Sequence, residues 1–225
     1  MMKKWLVWIV FLVLAVGLVI SFRLKIFERV INAFNQSPNG KNWQNEVEKQ
    51  KTLYSKPKKV IFIGDSHIEQ CEWQEVFPEL KIGNRGIGGE TSGALLSRLN
   101  SAILPGTEIV VVQIGVNDIL SGIDPEVVAD NYKHISDYFK KKNVNLLVTL
   151  PFVTRYYPEK NIIILELNSI LTGFFTKAKI RYIDLNATLA PNDILLLEFS
   201  SDGVHLNSEG YLVWVDKLKA ILDTK

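Results

Sequence analysis

Short apolar runs rich in β-branched residues alternate along this chain with longer amphipathic stretches, and no other feature limits the possible folds so strongly. The runs are Val60-Ile61-Phe62-Ile63, the weaker Lys81-Ile82-Gly83-Asn84, Ile109-Val110-Val111-Val112-Gln113-Ile114, Leu146-Leu147-Val148-Thr149-Leu150 and Ile180-Arg181-Tyr182-Ile183. The third is nearly all apolar, as a strand buried on both faces should be. Helical spacing follows each run, near residues 68–77, 91–103, 125–142, 159–178 and 208–223. Asp124-Pro125-Glu126 and Asn207-Ser208-Glu209 read as helix starts, each with a cap residue and an acidic first turn. Strands alternating with helices imply a parallel sheet covered on both faces. In such sheets, sites form at the carboxyl ends of the strands.

The N-terminus is of a different character. Trp5 to Phe22 is an uncharged run of 18 residues. As a helix it would span roughly 27 Å at about 1.5 Å per residue, close to the hydrocarbon thickness of a bilayer. Lys3 and Lys4 precede it, Arg23 and Lys25 follow it, and Trp5 and Trp8 sit where an interfacial belt would lie. Two readings compete for residues 1–22, an uncleaved transmembrane anchor and a secretory signal peptide. The length favours the anchor, because Leu18-Val19-Ile20 continues past the small-residue site at Ala15-Val16-Gly17. Phe27, Val30, Ile31 and Phe34 then recur at helical spacing, Ser37-Pro38-Asn39-Gly40 reads as a break, and Trp43, Val47, Gln50 and Tyr54 suggest a short amphipathic helix. Residues 23–57 are thus expected to be a juxtamembrane helical linker, and residues 58–225 the main domain.

Charge and cysteine content exclude several classes. The chain of 225 residues has 26 Lys and Arg against 24 Asp and Glu. The first 40 residues hold five of the bases and one of the acids, which leaves the rest mildly acidic. A nucleic-acid partner is not expected from such a balance. Cys71 is the single cysteine, so an intramolecular disulfide and a cysteine-based zinc cage are both excluded.

Four segments carry chemistry, three after strands and the fourth in the loop just before the last helix. Gly64-Asp65-Ser66-His67 puts a serine on a sharp turn after the first strand. Taken alone, Ser66 or Asp65 reads equally well as a helix cap. Asn84-Arg85-Gly86-Ile87-Gly88-Gly89-Glu90-Thr91 has three glycines in four positions, letting backbone approach a ligand, but it lacks the spacer of a dinucleotide-binding loop. Gly115-Val116-Asn117-Asp118 offers an amide that can donate to an oxyanion. In Asp202-Gly203-Val204-His205 the carboxylate can fold back to accept the imidazole Nδ1–H, which leaves Nε2 free as a base. A serine nucleophile needs a histidine, an orienting carboxylate and oxyanion donors, and each need is met at one edge of the same sheet. Of the three histidines, His134 lies mid-helix and His67 adjoins Ser66, which leaves His205 as the base.

The ordered set GDS, N-x-G-x-G-G, G-x-N-D and D-x-x-H resembles the SGNH hydrolase (GDSL esterase/lipase) superfamily over most of residues 58–225. Asn84 to Gly89 is similar to the branch that contains the catalytic subunits of platelet-activating-factor acetylhydrolase. The resemblance implies a flavodoxin-like, three-layer α/β/α sandwich with a five-stranded parallel sheet. By motif position it makes Ser66 the nucleophile, His205 the base and Asp202 its partner. The oxyanion hole would be the Ser66 amide, the Gly89 amide and the Asn117 side chain. One departure is His67, where the family name has leucine. The resemblance implies an acylhydrolase acting on a small-molecule, glycan or lipid ester, with no metal or organic cofactor. The tether and the resemblance together place the domain outside the cytoplasm, or make it secreted if the N-terminal run is cleaved. Acyl transfer through the same acyl-enzyme is a close variant. More distant alternatives are a metal-dependent phosphoesterase using Asp65, His67, Asn117, Asp118, Asp202 and His205, and a membrane-tethered module that only binds.

Overall fold

The computed structural model describes residues 40–222. The apolar run at 5–22 and the stretch at 23–39 lie outside the described residues. Among the described residues, no helix is long and apolar enough to cross a membrane.

Five strands, β1 (Val60–Gly64), β2 (Ile82–Gly86), β3 (Ile109–Gln113), β4 (Asn145–Thr149) and β5 (Arg181–Ile183), form one sheet in the order β2-β1-β3-β4-β5. Every pairing is parallel, with Gly64 aligned to both Gly86 and Gln113 at the carboxyl edge. The strand alternation sorts the apolar residues into two cores. Ile61, Ile63, Val110, Val112 and Val148 face the helices Ser92–Ala102, Pro125–Lys141 and Pro158–Ala178. Val60, Phe62, Ile109, Val111 and Leu147 face the other layer, which holds the helix Ser208–Leu222 and the short helices Trp73–Val76 and Asn186–Leu189. The result is the three-layer α/β/α arrangement expected from the alternation. Each fully buried aliphatic or aromatic side chain contributes roughly 1.5–3 kcal/mol, so two continuous cores are ample to hold the sheet.

Trp214 anchors the last helix, and with it the segment just upstream that carries His205. Its ring meets Trp73 at 5.1 Å and Phe152 at 5.3 Å, both edge-on, while its Nε1–H donates to Thr149 Oγ1 at 3.0 Å.

The helix expected near 68–77 is instead two short ones, Ser66–Glu69 and Trp73–Val76. The break is stabilised from outside. The Asn84 side-chain amide donates to the carbonyls of Ile68, Glu69 and Cys71, and Trp73 Nε1–H donates to Ile68. Those carbonyls have no need of further helical turns. The amphipathic helix suggested by Trp43, Val47 and Gln50 spans Lys41–Leu53 and buries those three side chains. Trp43 and Val47 form a separate apolar cluster with Ile87 and Ala94.

Candidate active site

The strand order changes direction at β1 and β3, so the loops leaving these strands diverge and open a crevice at the carboxyl edge. A cleft of about 590 Å³ lies there. Ser66, Gly88, Gly89, Asn117, Asp202 and His205 all line it.

Ser66 is set by the turn that ends β1. Gly64 has φ +153°, and a Cβ there would lie 1.8 Å from the Gln113 carbonyl oxygen, so only glycine lets β1 sit this close to β3. Asp65 caps the short helix that follows, its Oδ1 accepting from His67 N–H at 2.9 Å. The capping role considered for this turn therefore falls to Asp65, and the Ser66 hydroxyl is left to face the cleft.

Ser66 Oγ lies 3.0 Å from His205 Nε2. His205 Nδ1 lies 2.7 Å from Asp202 Oδ2. The carboxylate accepts a hydrogen bond from Nδ1–H, which leaves Nε2 as the acceptor for the serine hydroxyl. Asp202 Oδ1 also accepts from the N–H groups of Val204 and His205, at 2.9 and 2.8 Å. Partial burial pushes the Asp202 carboxyl up, but these hydrogen bonds and the His205 ring outweigh it and hold the group below the ordinary carboxylate range. Gly203, with φ +86°, turns the loop so that its carbonyl accepts from Arg155 and Tyr156 N–H.

The other wall carries the two expected donors. A Cβ on Gly88 would come within 3.9 Å of Ser66 Cβ, so the Gly88-Gly89 backbone passes beside the serine. Asn117, in the short helix Val116–Leu120, uses one N–H of its amide to donate to the Glu90 carbonyl at 3.1 Å. Asn117 also lines the cleft, and its amide carries a second N–H.

The remaining histidines lie as the elimination requires. His67 is buried with both ring nitrogens engaged, Nδ1 with Asp65 Oδ1 at 3.2 Å and Nε2 with the Val204 carbonyl at 3.1 Å, so neither is available to Ser66. His134 is on an exposed helix face beside Asp130. Among the described residues, no three His, Cys, Asp or Glu side chains are grouped so as to hold a metal ion. Leu120, Tyr156 and Tyr157 line the cleft, whereas Phe152 is core, stacked edge-on against Trp214 and His67.

Three residues outside the sequence reading's site stand behind the Gly-rich loop: Glu90, Arg98 and Trp43. Glu90 and Arg98 form a buried ion pair, and Trp43 Nε1–H donates to Glu90 Oε1 at 2.8 Å. A signal was present. Arg98 occupies the apolar stripe Ala94, Leu95, Leu99, Ala102 of its helix, and a charge on such a stripe requires a buried partner.

Residues 62–213 match the model of the GDSL-like Lipase/Acylhydrolase family, more than half of the chain. The chain belongs to that family. Platelet-activating factor acetylhydrolase IB subunit alpha1 from Rattus norvegicus is 42% identical over 69 residues, and the Homo sapiens protein matches to the same extent. Those matches span 28% of this chain and only 30% of each relative. Among solved structures, a Streptococcus pneumonia protein named for platelet activating factor superposes with TM-score 0.74 at 20% identity, over 90% of this chain and 99% of that one. A GDSL-like lipase from Bacteroides thetaiotaomicron gives 0.68 at 20% identity, over 80% and 96%. The acetylxylan esterase Axe2 from Geobacillus stearothermophilus gives 0.58 at 17% identity, over 72% and 93%. At such identities the likeness speaks for the fold alone. The family member described here carries Gly64-Asp65-Ser66-His67 at the position that names the family, with histidine in place of leucine.

Proposed function

We propose that this GDSL-family protein is a serine esterase that cleaves an acetyl or short-acyl ester, or a lysophospholipid, through an acyl-enzyme on Ser66. The observation that carries the reading is the relay from Ser66 Oγ to His205 Nε2 at 3.0 Å and from His205 Nδ1 to Asp202 at 2.7 Å. As Oγ attacks the ester carbonyl, Nε2 takes its proton, and Asp202 stabilises the imidazolium that results. The amides of Ser66 and Gly89 and the second N–H of Asn117 receive the oxyanion. The imidazolium then protonates the leaving alkoxide. In the second half, His205 activates water against the acyl-enzyme and Ser66 recovers its proton.

The cleft wall supports a small acyl group attached to a polar alcohol. Leu120, Val116, Tyr156 and Tyr157 offer limited apolar surface, and Glu69, Gln70 and Asp202 line the same opening with hydrogen-bonding groups. The uncharged run at 5–22, flanked by Lys and Arg, supports a single-pass anchor, and the family resemblance, rather than the nearly balanced flanking charges, puts the domain outside the cytoplasm in this reading. Protease shaving of intact cells that leaves the domain untouched would contradict that placement. The functional reading is tested by a series of p-nitrophenyl esters of increasing acyl length, with Ser66→Ala as control. Turnover highest for acetyl to butyryl esters, and absent in Ser66→Ala, is expected. Equal turnover in the variant would refute it.

A further inference from the structure

Glu90 follows Gly89 directly, and its side chain is fully buried. Its two carboxylate oxygens take three donors, namely Arg98 Nε–H, Arg98 Nη2–H and Trp43 Nε1–H. Arg98 gives two further donors to the same assembly, Nη1–H to Gln50 Oε1 at 3.2 Å and Nη2–H to the Arg85 carbonyl at 2.7 Å. Gln50 in turn donates to the Gly86 carbonyl at 3.4 Å. Beyond the helix end, Arg85 donates to the Tyr54 carbonyl at 3.2 Å and lies 4.8 Å over the Tyr54 ring. Burial pushes the Glu90 carboxyl up, and the charge and N–H groups of Arg98, with Trp43, pull it back towards the ionised form. A buried ion pair adds little net stability over apolar packing, and its better-attested use is to fix one arrangement.

What is fixed here is the oxyanion side of the cleft. The Glu90 backbone carbonyl accepts one N–H of Asn117, and the residue before Glu90 is Gly89. Both expected donors are therefore referenced to one residue, and that residue is clamped from behind by the helix Lys41–Leu53. This helix lies outside the segment that matches the family model. Resting on the esterase reading above, we infer that Glu90 is a positioning residue for the oxyanion donors, and that Trp43 makes the helix Lys41–Leu53 part of the catalytic apparatus rather than a spacer.

The test uses the full chain and a double-mutant cycle. Trp43→Phe keeps a ring in the apolar cluster but removes the N–H to Glu90. It should lower kcat by about tenfold with KM within about twofold, below the roughly 10²-fold that an ångström of misplacement can cost. Active-site titration with an organophosphonate counts competent sites, so the rate is expressed per folded site. In the Asn117→Ala background the same substitution should cost less, because one of the two donors it positions is gone. Glu90→Gln, which keeps an acceptor for Trp43, should fall in the same direction per titrated site. Equal losses in both backgrounds, or a loss only in the number of titratable sites, would overturn the positioning role. Wild-type protein with no ester hydrolysis and no titratable serine would instead overturn the esterase reading, and this inference with it.

Discussion

On the histidine wall of the cleft, the Asp202 side chain is 53% exposed and its loop is held by backbone hydrogen bonds around Gly203 and by Ser200 and Ser201. On the opposite wall, Glu90 is 0% exposed and is braced by a polar network from the helices Lys41–Leu53 and Ser92–Ala102. In the proposed mechanism the two walls would do different work. The histidine would exchange protons in both halves of the cycle, and a solvent-facing loop tolerates that. The oxyanion donors would act by already being in place, and a rigid, dry backing is what such preorganisation requires.

Substitutions can break this contrast at graded cost. Ser66, where the walls meet, comes first. Ser66→Ala should lower kcat on the order of 10⁶-fold by initial-rate assay while leaving the melting temperature nearly unchanged. Asp202→Asn should lower kcat by about 10⁴-fold, because an amide no longer selects the tautomer that frees Nε2. As the side chain is exposed, a thermal melt should show little change. On the opposite wall, Asn117→Ala should cost about 10²–10³-fold in kcat with KM almost unmoved. A KM effect as large as the kcat effect would mean that Asn117 binds ground-state substrate instead.

The smallest expected effect concerns the foundation under Asn117. Asp118 is buried, and its carboxylate accepts from Ser92 N–H and Ser92 Oγ–H. Burial pushes its pKa up to about 6 despite those hydrogen bonds. The folded protein thus holds the proton more tightly than the unfolded chain does. The stability that this supplies is fully present below about pH 4 and is lost as pH rises through about 6, a change of a few kcal/mol at most. Melting curves of Asp118→Asn should therefore fall less steeply than wild type between pH 4 and 6. Parallel slopes would contradict it.

The sheet and the cleft's chemistry were legible because their signals are local. The run at 109–114 is buried on both faces and reads so, three reactive blocks follow strand ends, and the fourth, Asp202 to His205, directly precedes the last helix. The elimination among histidines also needed only sequence, since His134 and His67 are disqualified by their neighbours. What was not legible depends on contacts between distant segments. The helix near 68–77 breaks because Asn84 supplies donors from the neighbouring strand. The brace behind the oxyanion loop joins Trp43, Glu90 and Arg98, and its one local trace is an arginine on an apolar stripe. His67, the departure from the family pattern, shows its role only in three dimensions, where it ties the serine turn to the Val204 carbonyl.

The central claim is that Ser66 is a nucleophile activated by His205. Intact-mass analysis after exposure to a fluorophosphonate tests it most directly. One adduct per chain is expected, mapped to the peptide containing Ser66, absent in Ser66→Ala and formed far more slowly in His205→Ala. Labelling that is absent, falls elsewhere, or proceeds at the wild-type rate without His205 would contradict it.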